Sequence, residues 1–174
     1  MRGFILAGGL SRRFGSDKAL YPVGGTPLAV VIAGVLRDAG LDPWLVSREP
    51  RALGLPEVIE PDGPRHPLWG VAAALGEGDD VFLTPCDLVA LRVDQVRALL
   101  DARAIAVGQP LLGVFSASLR DRAVAFATAG DTVRRFVEGL PTRDVGAIEN
   151  LNRPRGSAPS PPPPPRRAGA VPER

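Results

Sequence analysis

The chain has 174 residues, 45% of them hydrophobic, with 21 basic and 19 acidic side chains, enough for one domain with its own core. From Pro154 onward lie four arginines and one glutamate, so the first 153 residues hold 17 basic and 18 acidic groups, a balance that argues against a nucleic-acid partner. The longest apolar run, Leu28 to Leu36, is too short to span a bilayer, and a lone cysteine forms no internal disulfide, so a cytoplasmic protein with no membrane partner is expected.

In chain order, Gly3 to Leu6 reads as a buried strand that ends at Gly8-Gly9. Pro27 to Ala39 is a helix, with proline in its first turn and Gly40 past its end. Trp44 to Ser47 and Val58-Ile59 are short strands, and Leu68 to Leu75 is a helix opened by Pro67. Val81 to Thr84 is a strand that stops at Pro85-Cys86-Asp87. Val93 to Ala102 has helical spacing, with Val96, Leu99 and Leu100 on one face. Strands are expected at Ala104–Val107 and Leu111–Phe115, helices at Ser118–Thr128 and Thr132–Leu140, and a last strand near Asp144–Ile148. This alternation predicts an α/β fold: a mostly parallel sheet with helices on both faces. Ligands of such sheets bind beyond the carboxyl ends of the strands, where Ala7–Lys18 and Pro85–Asp87 fall. Residues 1–153 form the expected domain. Residues 154–174 contain eight of the 19 prolines, five of them consecutive, and are expected to be an extended, disordered tail; a docking peptide is the alternative.

The segment Leu6-Ala7-Gly8-Gly9-Leu10-Ser11-Arg12-Arg13-Phe14-Gly15-Ser16-Asp17-Lys18 follows the first strand directly. Gly8 and Gly9 let backbone amides approach an anion without an intervening Cβ, and Arg12 and Arg13 add bidentate donors for a triphosphate. Lys18 is the only lysine beside 20 arginines. Its compact ammonium can follow charge onto an α-phosphate as a bond breaks, though a single lysine must also fall somewhere by chance. The spacing matches neither Gly-x-x-x-x-Gly-Lys-Ser/Thr nor Gly-x-Gly-x-x-Gly. Asp87 ends an apolar run with no basic neighbour in sequence. It suits magnesium (Mg2+), which takes carboxylate, phosphate and water oxygens, or else a turn or helix cap. His66 pairs with no nucleophile, and Cys86 reads as a small packed residue.

The thirteen-residue segment resembles the signature Leu-Ala-Gly-Gly-x-Ser-Arg-Arg-x-Gly-x-Asp-Lys of molybdenum cofactor guanylyltransferases. The likeness continues in order through Gly25-Thr26-Pro27-Leu28, Asp62 ahead of Pro67-Leu68-Trp69-Gly70, Pro85-Cys86-Asp87, Gln109-Pro110-Leu111 and Asn150-Leu151-Asn152-x-Pro154. It implies a Rossmann-like three-layer sandwich that transfers GMP from GTP to the terminal phosphate of molybdopterin or molybdenum-molybdopterin, releasing pyrophosphate. It also implies transient contacts with cofactor-biosynthesis proteins or molybdoenzymes. The implied nucleotide site comprises Leu6, Ala7, Gly8, Gly9, Arg12, Arg13, Lys18, Asp62 and Asp87. Lys18 and Asp87 are its catalytic pair, Asp87 is the metal ligand, and Asp62 belongs to the guanine-nucleotide site. Asn150 and Asn152 present amides to the pterin or are turn asparagines. Leu88-Val89-Ala90 stands where the family continues with proline, and Ser47 stands where asparagine is common. Two other readings stay open: a nucleotidyltransferase that uses CTP or another phosphate acceptor, and a non-catalytic guanine-nucleotide-binding protein that hands cofactor to a partner.

Overall fold

A computed structural model describes residues 1–8 and 17–151; the expectations for Gly9, Arg12, Arg13, Asn152 and the segment 154–174 lie outside them. Strand β1 (Arg2–Leu6) buries its three central residues. A hairpin of β2 (Pro22–Val23) and β3 (Thr26–Pro27) follows. Its two loop residues, Gly24 and Gly25, have φ of +58° and +85°, the positive values that a tight two-residue hairpin turn requires. Helix α1 (Leu28–Asp38) ends on Gly40. The amides of Gly40 and Leu41 donate to the carbonyls of Arg37 and Leu36, and the glycine accepts the left-handed conformation of this stop.

The chain continues through β4 (Asp42–Ser47), β5 (Glu57–Ile59), α2 (Pro67–Leu75), β6 (Val81–Pro85), α3 (Val93–Ala102), β7 (Ile105–Ala106) and β8 (Gln109–Phe115). A 3-10 turn at Ala117–Leu119 leads into α4 (Arg120–Ala129), then come α5 (Val133–Phe136) and β9 (Thr142–Arg143). The seven-stranded sheet has the order β5-β4-β1-β6-β8-β7-β9. β1 runs parallel to β4 and β6, β4 to β5, and β7 to β9. Only β8 is reversed, pairing antiparallel with β6 and β7. The expected α/β architecture with a mostly parallel sheet is therefore present.

Successive strand residues point to opposite faces, and here both faces are covered. Ile5, Leu45, Phe82 and Val114 join the core under α1 and α3. Their neighbours Phe4, Val46, Leu83 and Phe115 join the core under α2, α4 and α5. Burial on both sides turns each central strand into an unbroken apolar run, which makes such strands legible as short hydrophobic segments.

Three expectations near the end of the chain need correction. The helix expected over Thr132–Leu140 is only Val133–Phe136, because Gly139 turns the chain with φ +83°. The helix expected over Ser118–Thr128 is a 3-10 turn followed by α4. The last strand lies at Thr142–Arg143 instead of Asp144–Ile148. An Asp144 Oδ1 bond from the Gly146 amide, with Gly146 at φ +75°, makes a turn of the latter stretch. Val145 and Ile148 pack against the α1/α3 core, and this packing explains their strand-like apolar spacing. Among the described residues, no helix is long and apolar enough to cross a membrane.

Candidate active site

The neighbouring parallel strands β1 and β6 deliver the site. Their carboxyl ends pair Leu6 with Pro85, and the Cys86 amide donates to the Leu6 carbonyl at 3.3 Å. Ala7 is buried and its amide donates to Val46 O at 2.7 Å, so β1 and β4 diverge only beyond it. Gly8 follows immediately. A Cβ on Gly8 would lie 1.7 Å from Glu60 Oε1, so the absent side chain lets the Glu60 carboxylate sit against the backbone here.

Lys18 re-enters on a 3-10 turn, Lys18–Leu20, capped by Asp17, whose Oδ1 accepts from the Ala19 amide at 3.0 Å. The Lys18 ammonium reaches Asp87 Oδ2 at 3.0 Å, with side chains 18% and 25% exposed. Asp87 has no basic neighbour in sequence, but in space it meets Lys18, 69 residues away. Asp87 is held from behind as well. Its carbonyl accepts from the Leu151 amide at 2.7 Å, and Leu88 bridges to Asn150. Asn150 Oδ1 in turn accepts from Gln109 Nε2 at 3.0 Å. Asn150 therefore lies close to Asp87 along the chain path, but its side-chain oxygen is engaged by Gln109.

Asp62 is not drawn into this cluster. It is exposed on the turn between β5 and α2 and makes no hydrogen bond or ion pair with another described residue. The buried carboxylate of that region is Glu60, 8% exposed, which sequence reasoning passed over. Its Oε2 accepts from Arg48 Nε at 3.2 Å, while Arg48 also donates to the carbonyls of Gly63 and Pro64. Burial raises the Glu60 carboxyl above its ordinary pKa against the opposing pull of Arg48, Arg51 and Arg65. Arg51 was passed over too. It donates to Asp17 Oδ2 at 2.8 Å through Nε, to Ala7 O at 3.0 Å through Nη2 and to Glu49 O at 3.2 Å through Nη1. With 20 arginines in the chain, neither Arg48 nor Arg51 carried a local signal that set it apart.

Cys86 packs against the α1/α3 core. Burial, reinforced by the Asp87 and Asp17 carboxylates, pushes its thiol up to about 12, so it stays protonated and is no nucleophile near neutrality. His66 caps α2, its Nδ1 accepting from the Leu68 amide at 3.3 Å. Cys86 is thus a packed residue and His66 a helix cap.

Among the described residues, no three His, Cys, Asp or Glu side chains gather into a metal-binding group. The candidate donor is the Asp87 carboxylate alone, partly exposed and with one oxygen turned to Lys18. A single hard oxygen ligand of this kind fits magnesium, which completes its shell with phosphate and water, better than a metal that needs several protein ligands. The arrangement as a whole places an ammonium and a carboxylate beside the carboxyl ends of β1 and β6, where ligands of parallel sheets bind.

Comparison with known proteins identifies the family. Residues 3–145 match the family described as the MobA-like NTP transferase domain. The molybdenum cofactor guanylyltransferase of Xanthomonas euvesicatoria pv. vesicatoria is 32% identical over 145 residues, covering 79% of this chain and 76% of that protein. A probable molybdenum cofactor guanylyltransferase of Pyrococcus furiosus is 33% identical, with 87% and 91% covered. Among solved structures, molybdopterin-guanine dinucleotide biosynthesis protein A from Archaeoglobus fulgidus superimposes with a TM-score of 0.67 at 17% identity, covering 83% of this chain and 82% of that one. A 2-C-methyl-D-erythritol 4-phosphate cytidylyltransferase from Thermus thermophilus gives 0.57 at 16% identity, with 83% and 87% covered. These two likenesses show a Rossmann-like fold. The chain belongs to the MobA-like NTP transferase family and is a nucleotidyltransferase.

Proposed function

We propose that the protein transfers GMP from GTP to the terminal phosphate of molybdopterin or molybdenum-molybdopterin, releasing pyrophosphate and leaving a guanine dinucleotide form of the cofactor. The observation that carries this is the 3.0 Å pairing of Lys18 with Asp87 across the ends of β1 and β6, in a chain 32% identical to a molybdenum cofactor guanylyltransferase. An oxygen of the acceptor phosphate attacks the α-phosphorus of GTP. The bond between that phosphorus and the α–β bridging oxygen breaks, and the electron pair leaves with pyrophosphate. A phosphate monoester is already anionic, so no strong general base is required, and catalysis rests on alignment and charge neutralisation.

Each residue's part follows from its chemistry. The Gly8 backbone gives close access to phosphate, with Gly9, Arg12 and Arg13 of the same segment as further proposed donors. Lys18 exchanges its Asp87 partner for the triphosphate, and its point charge meets the negative charge that builds up on the bridging oxygen. Asp87 is the proposed magnesium ligand; when bound, the ion neutralises triphosphate charge. The Gln109–Asn150 pair and the Leu151–Asp87 bond keep the Asp87 loop in place. Asn150 and Asn152 remain proposed pterin contacts, and Asp62 a proposed guanine-nucleotide contact. The proposed setting is the cytoplasm, with transient contacts to cofactor-biosynthesis proteins or molybdoenzymes.

Pyrophosphate release tests the substrate assignment. The protein is incubated with magnesium, molybdopterin or its molybdenum-loaded form, and each nucleoside triphosphate in turn. Release with GTP alone is expected. Release with CTP would reassign the donor, and nucleotide binding without release would make the protein a carrier.

A further inference from the structure

Lys18 meets Asp87 from a 3-10 turn that begins eleven positions beyond Ala7, the residue that follows β1. One side chain spans the two positions. The Arg51 guanidinium donates to the Ala7 carbonyl at 3.0 Å and forms an ion pair with Asp17 Oδ2 at 2.7 Å. We propose that Arg51 is a positioning residue for nucleotidyl transfer, tying the end of β1 to Asp17 and so holding the Lys18 ammonium at Asp87.

The contacts divide the labour cleanly. Asp17 uses Oδ1 to cap the turn that begins at Lys18 and Oδ2 to receive Arg51. Arg51 is itself anchored: its own amide donates to Glu57 Oε2 at 3.1 Å, and Glu57 Oε1 accepts from the Ser47 hydroxyl. A continuous chain of polar contacts thus runs from β4 and β5 through Arg51 and Asp17 to the Lys18 turn. The Arg51 side chain is 15% exposed and that of Asp17 is 32% exposed, so the pair is shielded from solvent more than a surface ion pair is. Lysine cannot substitute, because the task needs several donors in a fixed plane that reach two carbonyls and a carboxylate together. These donors are directed at protein acceptors, so Arg51 acts on the reaction through Lys18. The proposal rests on the roles assigned above to Lys18 and Asp87.

Lys18 is the chain's only lysine, which permits a test that needs no substrate. The full chain is treated with trinitrobenzenesulfonate, and modification of Lys18 is followed by peptide mass spectrometry against the N-terminal amine as internal standard. Arg51→Met and Arg51→Lys should each raise the Lys18 modification rate severalfold, as should Asp87→Ala by removing the ion-pair partner. In turnover, Arg51→Met should lower kcat by about tenfold or more through misplacement of a catalytic group, with KM for GTP changed by less than about threefold. In a Lys18→Ala background the same substitution should cost almost nothing, since residues that act as a unit are non-additive. Unchanged Lys18 reactivity, or fully additive losses in kcat, would overturn the proposal. Should Arg51→Met fail to fold, Asp17→Asn keeps the capping oxygen, removes the ion pair and is read in the same way. Absence of GTP turnover in the unsubstituted protein would count against the proposed reaction alone, because the labelling comparison stands without it.

Discussion

Lys18 and Asp87 are each partly buried, at 18% and 25% side-chain exposure, and meet at 3.0 Å. Arginine at position 18 would keep the charge but spread it over a planar, longer group that cannot track a single bridging oxygen. Lys18→Arg should therefore lower kcat by about tenfold or more, measured by pyrophosphate release at saturating GTP; wild-type turnover would remove the lysine-specific role. Glu60 presents a different kind of prediction. Burial raises its pKa in the folded protein, so the native state holds the Glu60 proton more tightly than the unfolded chain does. Its contribution to stability is therefore greatest below the unfolded carboxylate pKa and falls as pH rises through the raised folded value. Glu60→Gln lacks that dependence. The stability of the variant relative to wild type should improve as pH is raised across this window and then level off, as urea melts at a series of pH values would show. A difference independent of pH would contradict the cause assigned to the shift.

Among the elements, β8 carries the sharpest constraint. Gly113 pairs with Leu83 of β6 and with Ile105 of β7, and its φ is +140°. A Cβ there would lie 2.3 Å from the Ala104 carbonyl oxygen and 2.6 Å from Ile105 Cα, backbone atoms that cannot rotate away. Gly113→Ala should cost about 2 kcal/mol or more, combining backbone strain with overpacking, and a wild-type denaturant midpoint would refute it. The same distinction between side-chain signal and backbone geometry decides which elements could be read in advance. β1, β4 and β6 were legible because both of their faces are buried, giving Phe4-Ile5, Leu45-Val46 and Phe82-Leu83 as apolar runs. β9 was not, because Thr142 and Arg143 are exposed and only their backbone pairs with β7. Val145 and Ile148 carried the misleading apolar signal from a turn packed on the core.

At the scale of the molecule, the sheet order brings the ends of β1, β4 and β6 side by side, and the candidate site collects there. The sequence-local parts of it could be read directly: a glycine pair after a strand, a solitary lysine, an aspartate at another strand end. The parts that depend on long-range placement could not. Arg51 contacts Asp17 and Ala7 across 34 and 44 residues, and Glu60 was overshadowed by Asp62 in an inviting Pro-Asp-Gly turn that the fold leaves exposed. The described residues end at Leu151, 3% exposed, and eight of the 19 prolines lie in residues 154–174. Removal of residues 156–174 should leave the melting temperature and turnover unchanged; a fall in either would make that segment part of the working enzyme.

The central claim is that Lys18 and Asp87 form the nucleotidyl-transfer centre. Its most direct test is magnesium-dependent pyrophosphate release from GTP and molybdopterin by Asp87→Ala beside wild type, with melting curves for both. The account predicts a loss of about a hundredfold or more in kcat, with the cooperative melt retained. Turnover near the wild-type level in a folded Asp87→Ala protein would contradict it.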